Sequence, residues 1–339
     1  MKAATVNPGA KLEISQVPVP EPGEDELLIE VAYCGVCGSD LHILDTGRLP
    51  AGCIMGHELS GRVAAIGSRV DGFSKGDLVV VHPMNPCFSC EPCKSGHTQL
   101  CGDAVNRGYG LGTNPGGFAQ FMLTKASMLF SPPEGMDMKT AALNEPWAVA
   151  VHALNMMDTN PDSVVLVMGA GPIGLMCIYA LKMTGVTEIY ASEPDGYRAG
   201  KASLAGAKEV IDPKSSNPAQ VISAQVGRLP DYVIDCVGTR TSTQEAAAIV
   251  GTRGVVMVLG VHMDTAEVMP IVCFLKEAQL NFSFAYTYRE FADCIETLAG
   301  GAVDPEVLIS DVMPLSRIGE AFEVLRGSGH SKIMIDCQK

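Results

Sequence analysis

A chain of 339 residues, 47% hydrophobic and 18% charged, is long for a single core and predicts a globular protein of two domains. Its formal net charge of -14 offers no basic surface to nucleic acid, and no apolar run reaches the roughly 18 to 20 residues that cross a bilayer. The N-terminus, MKAATVNPGAKLEISQVPVPEPG, has no apolar stretch of secretory type. A cytoplasmic location is expected, in which the 12 cysteines stay reduced and clustered ones turn toward metals rather than disulfides.

Residues 1–145 carry short alternating or apolar runs (LLIEVAY, GRVAAI, DLVVVHP) punctuated by Gly and Pro, the texture of a strand-rich, loop-heavy domain. From residue 146 the pattern changes. AVAVHALNMM reads as an amphipathic helix, and VVLVMGAGPIGLMCIYALKMTG as buried strand, tight turn and helix. Further apolar strands are expected at EIYAS, EVID, YVIDCVG and GVVMVLG, separated by helical stretches. That alternation predicts a parallel sheet covered by helices over 146–285. In 286–339, REFADCIETLAGG and IGEAFEVLRGS read as helices and KIMIDCQ as a last strand, which either extends that sheet or returns to the first domain.

Three groups of residues carry chemistry. Cys87, Cys90, Cys93 and Cys101, in the lobe 87–101, have the spacing CxxCxxCx7C. Four sulfur donors with no open position suit a tetrahedral structural Zn2+; an iron–sulfur cluster is the other centre that takes four thiolates. Upstream, CGVCGSDLH and GHE place Cys37, His57 and Glu58 in the same domain. Cys37 and His57 are natural first ligands of a catalytic zinc, which takes three protein donors and keeps a fourth position for substrate. Asp40 is expected to orient His57, because a zinc-bound imidazole usually donates its other N–H to a carboxylate or carbonyl.

The third group is GxGxxG at Gly169, Gly171 and Gly174, with Pro172 and Ile173 between the last two, directly after a strand and opening a helix. The first glycine turns the chain, the second lets backbone approach a pyrophosphate, and the third allows close packing of helix on strand. The pyrophosphate then sits at a helix N-terminus. Glu193 ends the next strand, where a carboxylate accepts hydrogen bonds from ribose hydroxyls and repels a 2'-phosphate, so NAD is expected over NADP.

With GHELSGRVAAIGSRVDGFSKGDLVVV, the four-cysteine lobe, NEPWAVAVHAL and the fingerprint in view, the whole chain resembles the zinc-dependent medium-chain dehydrogenases, nearest the polyol (sorbitol-like) branch. The resemblance implies an α/β protein: a GroES-like strand-rich catalytic domain, a Rossmann doubly wound parallel sheet, and a C-terminal segment returning to the catalytic domain. It implies two zinc ions per chain, one catalytic and one structural, NAD as cofactor, and a homodimer or homotetramer. The catalytic zinc is then held by Cys37, His57 and a residue of the 144–146 segment. Where Cys/His/Cys alcohol dehydrogenases have a cysteine there, this chain has Glu145, which points to the polyol branch, with Glu58 as alternate ligand or close neighbour.

The resemblance also makes Ser39 and His42 the relay that carries the alcohol proton to solvent, a task suited to an imidazole that titrates near neutrality. Arg198 falls beside the adenosine, and Cys236, Val237 and Gly238 with Gly260 and Val261 line the adenine and nicotinamide ends. Tyr109, Phe118 and the aromatic stretch 284–291 are candidates for the substrate pocket. The implied reaction interconverts a secondary alcohol (polyol, sugar alcohol or aldonate) and its ketone. Threonine- or diol-type dehydrogenases, zinc-free reductases of the same fold, and a nucleotide-binding sensor without turnover are the competing readings.

Overall fold

The computed structural model describes residues 1–111 and 114–339. Two sheets organise them. The first has seven strands and runs Ile309–Pro314, Lys332–Asp336, Glu26–Gly35, Glu58–Ile66, Leu78–Val81, Leu129–Phe130, with Phe121–Lys125 also paired to Glu26–Gly35. Most of its pairings are antiparallel, which lets short strands follow one another through tight Gly- and Pro-containing turns. Its first two strands come from the end of the chain, so KIMIDCQ returns to the N-terminal sheet rather than extending the other. A short helix, Gly38–Asp45, interrupts the loop-heavy region.

The second sheet is wholly parallel and runs Glu209–Ile211, Glu188–Ser192, Val164–Met168, Tyr232–Asp235, Val255–Val258, Gln279–Phe282. Val164–Met168 is buried along its whole length, as a strand covered by helices on both faces must be. The last strand, Gln279–Phe282, is not among those expected from sequence: its alternation of polar and apolar residues reflects an exposed outer edge, unlike the solid apolar runs of its neighbours.

The winding reverses between Val164–Met168 and Tyr232–Asp235, and in open α/β sheets ligands bind in the crevice at such a switch point. The register places Met168 beside both Ser192 and Asp235. The residues that follow, Gly169, Glu193 and Cys236, therefore leave the sheet together at one edge. Among the described residues no helix is long and apolar enough to cross a membrane.

Candidate active site

The Gly38–Asp45 helix begins at Cys37, its N-cap, and Asp40 fixes that start: Asp40 Oδ2 accepts a hydrogen bond from the Cys37 backbone N–H at 2.9 Å. The other oxygen, Oδ1, lies 3.3 Å from His57 Nδ1 in a fully buried ion-pair contact. One carboxylate thus sets both the helix that presents Cys37 and the ring of His57. Although desolvation acts to lower its pKa, Asp40 and Cys37 hold the His57 imidazole well above its ordinary range.

Donor atoms of Cys37, His57 and Glu58 lie within 4.8 Å of one another. Glu58 is completely buried, and room for it is made by Gly35 on the paired strand: a Cβ there would stand 2.1 Å from Glu58 Oε2. Sequence reasoning missed its partner. Lys332, inside the last strand and 2% exposed, donates from Nζ to both Glu58 oxygens at 2.7 Å and to the Val36 carbonyl at 3.0 Å. Burial disfavours its charge, but Glu58 and Cys37 outweigh that and hold the Lys332 ammonium above its ordinary value. The signal was a lone lysine opening the otherwise apolar run KIMI, since a buried lysine requires a partner.

Glu145, in the first turn of the Asn144–Asn155 helix, is buried but stands outside that trio. Its Oε1 accepts a hydrogen bond from Tyr286 Oη at 2.9 Å. Burial pushes the Glu145 carboxyl up to about 7, with Glu58 adding to the rise while His57, Tyr286 and Lys332 oppose it. Burial and then Glu145 itself drive the Tyr286 phenol well above its ordinary range, so it remains a donor. Lys332 pairs with Glu58, and Glu145 and the Cys37 thiol also act on its charge, while Asp40 faces His57. This excess of anionic donors, with mixed S, N and O atoms, fits a divalent zinc ion.

In the 87–101 lobe, all four sulfurs lie within 4.8 Å of one another. Hydrogen bonds from Ser89 and Cys90 pull the Cys87 thiol down to about 5, their backbone N–H groups lying 3.4 and 3.2 Å from its sulfur. Desolvation, followed by hydrogen bonding with neighbouring thiols, drives Cys93 up to about 12. Backbone donors thus favour a thiolate at Cys87, while burial and the neighbouring thiols oppose one at Cys93, a crowding of four sulfurs that a tetrahedral zinc would relieve.

At the switch point, Gly169 has φ 85° and a Cβ on Gly174 would fall 1.9 Å from the Gly169 carbonyl oxygen, so both positions need glycine. Gly171 caps the Pro172–Met183 helix and faces open space. A cavity of about 820 Å3 spans Gly169, Gly171, Glu193, Arg198, Cys236 and Val237. Glu193 accepts from the backbone N–H groups of Ala170 and Asp195, at 2.8 and 2.9 Å, which fixes its carboxylate at that mouth. Arg198 is anchored by its Nε–H to the His330 carbonyl at 2.9 Å.

A second cavity of about 210 Å3 shares Gly171, Cys236 and Val237 with the first and continues past Pro172, Ile173, Gly174, Gly260 and Val261 to Cys37, Ser39, His42, Glu58 and Lys332. Gly238, with φ 67°, packs against Gly260 at the back of this channel. Ser39 is half-buried and His42 exposed. Of the aromatic candidates, Tyr109 and Phe118 are core residues, Phe284 is 49% exposed and Tyr286 reaches Glu145 from the core; none of these lines either cavity.

Comparison with known proteins agrees with this geometry. Residues 23–134 match the alcohol dehydrogenase GroES-like domain and residues 172–300 the zinc-binding dehydrogenase family. The chain is 33% identical to sorbitol dehydrogenase of Bacillus subtilis, covering 95% of this chain and 93% of that one. It is 32% identical to 2-dehydro-3-deoxy-L-galactonate 5-dehydrogenase of Pseudoalteromonas atlantica, covering 93% of each. Among solved structures, a zinc-binding dehydrogenase of Sinorhizobium meliloti bound to NADP superposes with a TM-score of 0.91 at 27% identity, over 99% of this chain and 98% of that one. The chain belongs to the zinc-binding dehydrogenase family of GroES-like and Rossmann-type alcohol dehydrogenases.

Proposed function

We propose that the protein is a zinc-dependent oxidoreductase that interconverts a secondary alcohol, a polyol, sugar alcohol or aldonate, and its ketone with NAD. The observation that carries this reading is the continuous channel that joins the Glu193 mouth to Cys37, Ser39 and Glu58. Cys37, His57 and Glu58 would hold the catalytic ion, with Glu145 as a further carboxylate beside them; Cys87, Cys90, Cys93 and Cys101 would hold the structural one. When bound, zinc would supply Lewis acidity toward the substrate hydroxyl, and NAD would supply the acceptor for the hydride of the carbinol carbon.

The chain's own residues handle the proton and the geometry. Ser39 and His42 are three apart on the Gly38–Asp45 helix, so their side chains are neighbours on one face. Ser39 takes the hydroxyl proton and passes it to the exposed His42 ring, which releases it to water. Asp40 keeps Cys37 and His57 in place during transfer. The fingerprint glycines and the helix N-terminus at Pro172 seat the pyrophosphate. Glu193 holds the adenosine ribose and disfavours a 2'-phosphate, with Arg198 alongside and Cys236, Val237, Gly260 and Val261 flanking the cofactor.

We read residues 1–145 as the catalytic domain, 146–285 as the NAD domain and 286–339 as the segment returning to the first, in a cytoplasmic enzyme in which none of the described cysteines forms a disulfide. Assembly as a homo-oligomer is inferred from Phe274 and Leu275, 76% and 75% exposed at the end of the short helix Pro270–Phe274, and Phe282, 67% exposed on the outer strand of the parallel sheet. An unprotected apolar edge of this kind is covered most simply by a second copy. The test of function is a panel of sugar alcohols, aldonates, threonine and diols with NAD and NADP, followed by absorbance of the reduced cofactor. Reduction of NAD by a sugar alcohol or aldonate is expected. Turnover confined to threonine or diols, preference for NADP, or silence of the zinc-loaded protein on every compound contradicts it.

A further inference from the structure

We propose that the four-cysteine lobe positions Glu145 through the segment 285–290, with Tyr286 as the positioning residue that makes the connection. The inference rests on the reading of Glu145 as part of the catalytic metal shell. Tyr286 is completely buried and its hydroxyl holds Glu145. The residue before it, Ala285, sits at φ 51°, a left-handed conformation that a residue with a Cβ keeps only where its surroundings impose it.

Those surroundings are the lobe. Ala285 packs against the apolar cluster of Met84, Cys101 and Ala104 beneath the cysteines. Thr98 Oγ1 accepts a hydrogen bond from the Tyr288 backbone N–H at 2.7 Å. The Phe88 ring meets Tyr288 edge to face at 5.2 Å. Gln99 lies 3.5 Å from His152 Nε2, whose Nδ1 is 2.8 Å from Glu290 Oε2. Phe88, Thr98 and Gln99 all lie between the first and last cysteine, so folding the lobe around its ion presents them together. The lobe is therefore joined to Glu145 by continuous packing and hydrogen bonds along the strained segment 285–290.

The experiment uses the zinc-loaded full chain and measures the rate at which a chelator withdraws the more weakly held zinc, alongside kcat and KM. Thr98→Val removes the side-chain acceptor for Tyr288 and leaves in place the backbone hydrogen bond that the Thr98 carbonyl accepts from Cys101 N–H. It should be purified with both zinc ions, release the weaker one about fivefold faster, lose kcat by a similar factor and keep KM for NAD. Thr98→Ser, which retains the hydroxyl, should restore the original values. Phe88→Leu, at a half-exposed ring, is the second lobe variant should Thr98→Val not fold.

Tyr286→Phe should reproduce the effect, and Thr98→Val/Tyr286→Phe should be no worse than Tyr286→Phe alone, since both cut one connection. Additive effects of the two substitutions, or lobe variants with unaltered zinc release and kcat, overturn the proposal. Glu145→Gln separates the two layers of inference. If Glu145→Gln changes zinc release and kcat while the lobe variants do not, the shell reading stands and the coupling falls. If Glu145→Gln is silent, the shell reading fails and the coupling with it.

Discussion

Two donor clusters, each with ligand atoms within 4.8 Å of one another, are built in opposite ways. The lobe draws four sulfurs from one short stretch and closes them with local N–H donors. The Cys37, His57 and Glu58 cluster draws on a helix start, a loop and a strand, and is held by a residue as distant as Lys332, with Tyr286 holding the neighbouring Glu145. A full set of four identical donors leaves nothing for substrate, whereas a mixed set at the end of a cofactor channel is placed for chemistry. We read the compact cluster as a brace, and the dispersed one as the centre.

That contrast can be broken first at the brace. Structural zinc sites can carry about 10 kcal/mol of apparent binding energy, so Cys93→Ser should show the largest loss of stability. Zinc content and folding yield should fall, measured by metal analysis and thermal denaturation, while the protein that still folds keeps turning over at a reduced kcat.

The dispersed centre is sharpened by Lys332→Met. Removing one partner of a buried ion pair leaves the other charge uncompensated, so the substitution should cost about 3–5 kcal/mol in denaturant titration. The cost should be smaller with zinc loaded, because a cation then faces Glu58. An equal cost with and without zinc would mean that Glu58 does not serve the metal.

A smaller, pH-dependent effect lies between the two regions. His82 is buried among Tyr286, Tyr288, Phe130 and Phe291, with Nδ1–H donating to the Met84 carbonyl at 2.7 Å and Nε2 unpartnered. Burial lowers it to about 4, against about 6.5 in an unfolded chain. The unfolded state therefore binds the extra proton between pH 6.5 and 4. Stability is fully present above pH 6.5 and falls as pH drops through that window, by roughly 3 kcal/mol at most. His82→Gln should flatten this part of the stability–pH profile even if it lowers the plateau.

The sequence exposed whatever was local. The cysteine spacing, the fingerprint, the solid apolar strands such as Val164–Met168 and the helices after residue 286 were legible because the signal lies within a few neighbouring residues. Gln279–Phe282 escaped because an edge strand does not need an apolar run. Lys332 escaped, and Tyr286 was legible only as part of the aromatic stretch 284–291, because their partners lie 274 and 141 positions away, which no periodicity encodes. The pairing of Glu58 rather than Glu145 with Cys37 and His57 has the same origin: it is decided by Gly35 and Lys332 across the sheet.

The most direct measurement takes zinc content and NAD reduction from one preparation of Cys37→Ser, beside the unaltered protein on the same alcohol. The account predicts that about one zinc per chain remains, held by the lobe, and that turnover falls by about a thousandfold or more. Turnover equal to that of the unaltered protein would contradict it, because the centre would then lie elsewhere.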